Sequence, residues 1–286
     1  MTVCIATFAE RAKAIVMLSD KAVTYPSGLQ SDTGVTKSRR IGDSCWHVLI
    51  AGNPTFALKV VNLASKKLEE IPTTVDSVFS MMDCLSECYQ AMRDKSVNEV
   101  ILRPNLLTRD LVVSRPRTLL PLQDDVVLAI HENAAKYKVK TSLLVCGFDE
   151  SGPHIFSVSD PGVSENFDMT GFHAVGIGAS TAIARMLQLE AVREDALPLA
   201  LYQIFDAKVN AEIMQGVGYS TDAEILVKDR KKTVKVPIRI IRLIDNVFMS
   251  HPNTPFSSER SPQAPRRWES RLQQFANSVM NTNRKR

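Results

Sequence analysis

The chain begins with two patterns typical of β-strands. Apolar and β-branched residues dominate Thr2 to Thr7 and Ala14 to Leu18, and a polar Glu-Arg-Ala-Lys stretch separates them. Two such runs joined by a short polar segment predict a β-hairpin. A third run, Trp46 to Ala51, is expected to be another strand because Gly-Asn-Pro follows it as a strong turn signal.

The next part of the chain shows helical spacing. Apolar residues recur every three or four positions from Phe56 to Leu68, which predicts an amphipathic helix. A second helix is expected from about Val75 to Ala91. Prolines interrupt residues 97–123, so we expect an irregular insertion with one short strand there. A further helix is expected from Asp124 to about Ala134, since acidic residues stabilise a helix N-terminus.

The second half of the body again shows strands, then helices, then strands. The predicted strands are Thr141 to Gly147, His154 to Ser159, Phe172 to Gly176, Ala223 to Lys228 and Lys235 to Ile244. The predicted helices are roughly Ser180 to Glu194 and Pro198 to Met214. Clustered elements favour an α+β fold with antiparallel sheets over a doubly wound parallel sheet.

Composition divides the chain into a body and a tail. With 286 residues, 44% of them hydrophobic and 23% charged, it is neither a disordered nor a disulfide-dense chain. Residues 250–286 contain seven basic and two acidic side chains, a balance of +5, so the other residues sum to −1 of the total +4. We expect a body of residues 1–249 and a basic, proline-containing tail of residues 250–286 with a short helix near 268–280. The tail could contact nucleic acid or anionic lipid, but a solvated or ring-docking extension is the favoured interpretation.

Targeting, redox and metal signals are weak. No uninterrupted apolar run reaches about 18 residues, and the N-terminus lacks the basic start of a signal peptide, so we expect a cytoplasmic protein that does not bind membranes. The five cysteines are odd in number and scattered, which fits reduced thiols. Cys84 and Cys88 are expected to pack on a helix, with a two-cysteine metal site as the alternative. The histidines show no metal-ligand spacing, so no metal and no cofactor are expected.

Several segments, in order and spacing, resemble the β-type subunits of the proteasome and their bacterial relatives. These segments are TVCIA at 2–6, VMLSDKAVT at 16–24, VTKSRRI at 35–41, VLIAG at 48–52, LLVCGFDESGPHIF at 143–156 and AVGIGAS at 174–180. The resemblance covers most of residues 2–245. It implies the four-layer αββα sandwich of the N-terminal nucleophile hydrolases. It also implies a homo-oligomeric ring that cleaves peptides or unfolded proteins, with an ATP-dependent unfoldase left open as partner.

The resemblance also implies a set of catalytic residues. Thr2, exposed by removal of Met1, would be the nucleophile, and its own α-amino group would be the base, since that group has an unperturbed pKa of about 7.7 to 8.0. Lys37 and Asp20 would set the electrostatics, and the backbone N–H of Gly52 would bind the oxyanion. Ser220 matches a serine that supports the site in the family.

Two positions depart from the family pattern. Ile177 replaces a serine between two glycines, and Val217 replaces an aspartate three residues before Ser220. Two alternatives follow: a catalytically silent ring or scaffold subunit, and an amidase for a small non-peptide substrate. Counting back from Asp20 without a gap places Cys4 at the nucleophile position, which would require a cut after Val3.

Overall fold

The structure is a computed structural model that describes residues 2–24, 30–32, 35–70, 77–105, 124–228, 233–250 and 266–281. Its two larger sheets each have five antiparallel strands. The first sheet contains, in spatial order, β10 (Phe172–Gly176), β1 (Val3–Ala9), β2 (Ala14–Asp20), β11 (Thr221–Val227) and β12 (Val234–Lys235). The second contains β5 (Ser38–Arg40), β6 (His47–Gly52), β7 (Thr141–Phe148), β8 (Pro153–Ser159) and β9 (Val163–Asn166). A short ribbon pairs β3 (Val23–Thr24) with β4 (Gln30–Ser31).

Seven α-helices accompany the sheets in the described residues. They are α1 (Pro54–Glu70), α2 (Val78–Val97), α3 (Asp124–Lys136), α4 (Ala179–Gln188), α5 (Leu197–Ala211), α6 (Ile238–Ser250) and α7 (Arg266–Asn281). Helix α2 continues through a π-helical turn, Asn98–Leu102, and a 3-10 turn, Arg103–Asn105. This mixture of helices with antiparallel sheets confirms the predicted α+β class.

Three clusters of buried apolar side chains form most of the core. One joins the first sheet to α4, α5, α6 and α7, and a second joins the second sheet to α1 and α2. The third contains residues of both sheets, among them Cys4 and Met17 from the first and Leu49 and Leu144 from the second. The strands that carry these residues are buried on both faces, so their apolar runs do not alternate strictly with polar residues.

The prediction of a strand over Lys235 to Ile244 is wrong. The strand β12 ends at Lys235, and α6 begins at Ile238 just after Pro237. The β-branched isoleucines favour a strand, but Ile240 and Ile244 lie four positions apart, and both are buried in the first-sheet cluster. Tertiary packing of this apolar face therefore outweighs the β-propensity of the segment.

Several element boundaries also differ from prediction. Helix α4 ends at Gln188 rather than near Glu194, and Glu190 has a positive φ of 51°. Residues 98–105 of the predicted irregular insertion are helical. The short strand expected in that insertion does not lie in those residues, and 106–123 fall outside the described ranges.

The described part of the tail packs on the body. Helix α7 directs Leu272, Ala276 and Val279 into the first-sheet cluster, where each is at most 2% exposed. Their spacing of four and three residues places them on one helical face. Within the described ranges, none of the helices combines the length and apolar character needed to cross a bilayer.

Candidate active site

The ends of two neighbouring strands bring Thr2 and Asp20 together. Thr2 precedes β1 and Asp20 ends β2, and these strands pair antiparallel, with Cys4 opposite Ser19. In an antiparallel pair the start of one strand lies beside the end of the other. The Thr2 Oγ1 hydroxyl donates a hydrogen bond to Asp20 Oδ1.

Asp20 is a fully buried carboxylate with many donors. Its Oδ1 accepts from the Val3 N–H at 2.8 Å, and its Oδ2 accepts from the N–H groups of Ala22 at 3.0 Å and Gly218 at 3.1 Å. A buried carboxylate is costly unless such partners compensate it. The bonds also fix its orientation toward Thr2.

Lys37 completes the cluster from the second sheet. Its Nζ lies 2.9 Å from Asp20 Oδ1 and donates to Thr2 Oγ1. Its backbone carbonyl accepts from the Ile50 N–H at 3.0 Å, which ties the segment before β5 to β6. The Lys37 side chain is only 8% exposed. The hydroxyl of Thr2 therefore lies between a buried ammonium and a buried carboxylate.

Gly52 ends β6 and lines a pocket together with Thr2 and Lys37. Its φ is +103°, and a Cβ there would stand 2.0 Å from the Lys140 carbonyl oxygen. Both facts restrict the position to glycine. The pocket has a volume of about 140 Å³. It is lined by Thr2, Ala22, Val23, Val35, Thr36, Lys37, Arg39, Ile50, Gly52, Pro54 and Leu58.

Cys4, the alternative nucleophile, lies deeper in the core than the pocket. Its side chain belongs to the cluster between the sheets and is 0% exposed. Burial raises the pKa of its thiol to about 12, although the nearby Lys37 ammonium works in the opposite direction. A thiol with that pKa remains protonated at neutral pH and is a weak nucleophile.

The two departures from the family pattern lie beside Thr2. Gly176 has a φ of +102°, and a Cβ there would be 2.3 Å from the Thr2 carbonyl oxygen. Ile177, the next residue, is 43% exposed. Val217 is buried, and its γ-methyl lies 3.0 Å from where a Cβ on Gly178 would be. Val217 therefore packs the turn that flanks Thr2, while the adjacent Gly218 N–H binds Asp20.

Ser220 lies near the cluster, and its backbone is fixed there. Its N–H donates to Asp32 Oδ2 at 2.7 Å, and its carbonyl accepts from the Lys21 N–H at 3.0 Å. Lys21 directly follows Asp20 in the chain. Ser220 is thus attached to the segment that carries the carboxylate.

Sequence reasoning missed three groups in or beside residues 217–220: the Gly218 N–H, Asp32 and Lys208. A backbone N–H leaves no pattern in a sequence. Lys208 did leave a signal, because it is a lysine in the almost wholly buried helix α5. A buried ammonium needs a partner, and such a lysine is worth noting wherever an apolar helix contains one.

Among the described residues, no group of three or more His, Cys, Asp or Glu side chains is placed to hold a metal ion. No family model matches the chain, and no curated protein matches it in sequence.

Proposed function

We propose that the chain is a threonine-type peptidase that resembles the β-type subunits of the proteasome. One observation carries the proposal: the Thr2 hydroxyl is bonded to both Asp20 and Lys37 at the edge of a mainly apolar pocket. A hydroxyl needs an activating environment to act as a nucleophile. A threonine made N-terminal by removal of the preceding residue brings its own base.

The proposed reaction proceeds through an acyl-enzyme. Thr2 Oγ1 attacks the carbonyl carbon of an amide and passes its proton to its own α-amino group. That group then protonates the departing amine as the C–N bond breaks, which leaves an ester on Thr2. Water, deprotonated by the same amine, hydrolyses the ester and restores the hydroxyl.

Lys37, Asp20 and Gly52 have separate roles in this scheme. The Lys37 ammonium stabilises the negative charge that develops on Thr2 Oγ1, and Asp20 holds the ammonium in place. The Gly52 N–H stabilises the oxyanion of the tetrahedral intermediate. The pocket would take the side chain on the acyl side of the cleaved bond, and its Val35, Ile50 and Leu58 walls favour an apolar group.

The fold and assembly belong to the same proposal. The three core clusters support a four-layer αββα sandwich, with helices outside each of two stacked sheets. The homo-oligomeric ring, the ATP-dependent unfoldase and the cytoplasmic location expected from the sequence remain parts of this proposal. Mass determination of the purified protein by light scattering tests the ring.

The decisive experiment compares wild type with Thr2→Ala and Thr2→Ser. A β-lactone directed at N-terminal threonine should label wild type and Thr2→Ser but not Thr2→Ala, and a fluorogenic peptide panel should follow the same order. Intact mass of the chain should show Thr2 as its first residue. Equal labelling of wild type and Thr2→Ala, or labelling of neither, would refute the proposal.

The silent ring subunit remains the second candidate because Ile177 presents an apolar side chain where the family pattern has a serine. It predicts no labelling of wild type together with a stable ring. The small-substrate amidase predicts labelling of Thr2 with no cleavage across the peptide panel. The same experiment therefore separates all three functions.

A further inference from the structure

The loop of residues 217–220 supplies one of the hydrogen bonds that orient Asp20. Its Gly218 N–H donates to Asp20 Oδ2 at 3.1 Å. This hydrogen bond forms only while the loop holds the Gly218 N–H within reach of the carboxylate. The position of the loop therefore affects the carboxylate that touches Thr2 and Lys37.

Lys208 of helix α5 binds the backbone of this loop. Its Nζ donates to the Tyr219 carbonyl oxygen at 2.5 Å and to the Glu212 carboxylate. Tyr219 lies between Gly218, which binds Asp20, and Ser220, which binds Asp32. Lys208 thus holds the peptide unit that joins Tyr219 to Ser220, two units after the one whose N–H reaches the active-site carboxylate.

The burial of Lys208 indicates that this contact matters. Its side chain is 0% exposed, whereas lysine usually keeps its ammonium in water. A buried ion pair contributes little to stability compared with well-packed apolar residues. A methionine would fill the same space in the apolar helix, so fold stability alone does not explain a lysine here.

We propose that Lys208 is a positioning residue for the Thr2, Asp20 and Lys37 cluster. It fixes the Tyr219 carbonyl and, through the short stretch of backbone between them, the Gly218 N–H that holds Asp20. Val217 is apolar and cannot support the cluster through its side chain. Lys208 supplies this support from helix α5. The catalytic consequence rests on the proposed function, while the structural link is independent of it.

The test uses Lys208→Met and the double variant Lys208→Met/Glu212→Met. The double variant removes both members of the ion pair. It therefore leaves no unpaired charge that could cause misfolding. Each should lower kcat, and the rate of β-lactone labelling at Thr2, by on the order of 10²-fold, since small displacements of catalytic groups have such effects. KM should change little because neither residue lines the pocket.

Arg185→Gln is the matched control. Arg185 of α4 binds Asp206, which lies in α5 as Lys208 does, and its Nη2 is 2.8 Å from Asp206 Oδ2. In the described residues, none of the hydrogen bonds of Arg185 or Asp206 reaches the loop. The control should lower the melting temperature while kcat and labelling stay near wild type. Equal losses of kcat in the control and in the Lys208 variants would overturn the proposal.

Hydrogen exchange separates this inference from the proposed function. In both Lys208 variants the Gly218 amide should exchange at least tenfold faster than in wild type, and in Arg185→Gln it should not. Unchanged exchange at Gly218 in folded Lys208→Met overturns the inference even if Thr2 is reactive. Faster exchange with an unreactive wild-type Thr2 supports the structural link and refutes only the peptidase.

Discussion

Lys37 Nζ lies 2.9 Å from Asp20 Oδ1, and water reaches only 8% of the lysine side chain and none of the aspartate. The pair joins the two sheets, because Asp20 ends β2 and Lys37 precedes β5. Charges that are shielded from water interact more strongly than surface charges. The Thr2 hydroxyl contacts both members of this pair, which gives it a polarised environment inside an apolar core.

Removal of the ammonium should therefore abolish most activity. Lys37→Ala leaves Asp20 with its backbone donors and is expected to fold, while kcat falls by about 10² to 10³-fold for loss of electrostatic stabilisation. Peptide cleavage and circular dichroism measure the two effects. Lys67→Ala is the control, since the ion pair of Lys67 with Glu87 is exposed and is worth at most about 1 kcal/mol. Near-normal turnover by Lys37→Ala would contradict the assigned role.

A methyl group at Gly52 should damage both the turn and the proposed oxyanion site. In Gly52→Ala the new Cβ meets the Lys140 carbonyl at 2.0 Å, so we expect a lower melting temperature and a large loss of kcat. Gly152→Ala is the matched control. Gly152 also has a positive φ, +144°, but no atom lies within 4 Å of its added Cβ. That variant should lose some stability through backbone strain and keep its kcat.

The pocket should determine the preference for the acyl-side residue. Val35→Trp narrows a pocket of about 140 Å³ and should raise KM for peptides with large apolar side chains much more than for those with alanine. Val35 is 40% exposed, so the change should alter stability little. Val163→Trp, at an exposed valine of β9, is the control and should leave the preference unchanged. An identical specificity profile for Val35→Trp would place substrate elsewhere.

The tail helix should contribute to the stability of the body. Leu272→Ala removes a fully buried side chain from the first-sheet cluster and should cost about 2 to 5 kcal/mol. Chemical denaturation measures this loss. Gln274→Ala, on the exposed face of the same helix, should cost less than about 0.5 kcal/mol. Similar values for the two variants would mean that α7 does not remain docked in solution.

His154 should make stability depend on pH. Burial lowers the pKa of His154, but hydrogen bonds to Asp168 and Asp149 outweigh burial and raise it above 6.5. A raised folded-state pKa gives stability that is complete below about pH 6.5 and is lost as pH rises through the folded pKa. The stability difference between wild type and His154→Gln should shrink over that range. A difference that is constant or grows with pH would contradict the assignment.

The pKa of His173 is shifted in the opposite direction, and this residue affects stability over a different pH range. Burial lowers its pKa to about 4. The folded state therefore resists protonation between about pH 6.5 and 4, and stability contributed by the neutral ring is lost as the pH falls through that range. His173 is present in both wild type and His154→Gln, so its contribution cancels from their stability difference.

Much of the fold could be predicted because its strands are long and apolar. The α+β class follows from β1, β2, β6, β7, β8 and β11, all six to eight residues long. Short strands such as β5 and β9 escaped prediction, since three or four residues show no clear period. The prediction of a strand in the α6 segment is wrong because the β-propensity of its isoleucines conflicts with their helical spacing.

The candidate site was predictable in its side chains and not in its backbone. A family resemblance predicts Thr2, Asp20 and Lys37, and the structure places their polar atoms in contact. The donors that hold Asp20 are backbone N–H groups of Val3, Ala22 and Gly218, and nearly every residue type carries such a group. Such contacts depend on tertiary structure alone.

Strand β1 acquires its two neighbours at very different times during synthesis. Strand β1 lies between β2 and β10, so it gains its second neighbour only after residues 172–176 have been made. At about 5 to 20 residues per second, that takes roughly 10 to 35 s of synthesis. Removal of Met1, which the proposed peptidase requires, would meet β1 paired on one side only during this interval.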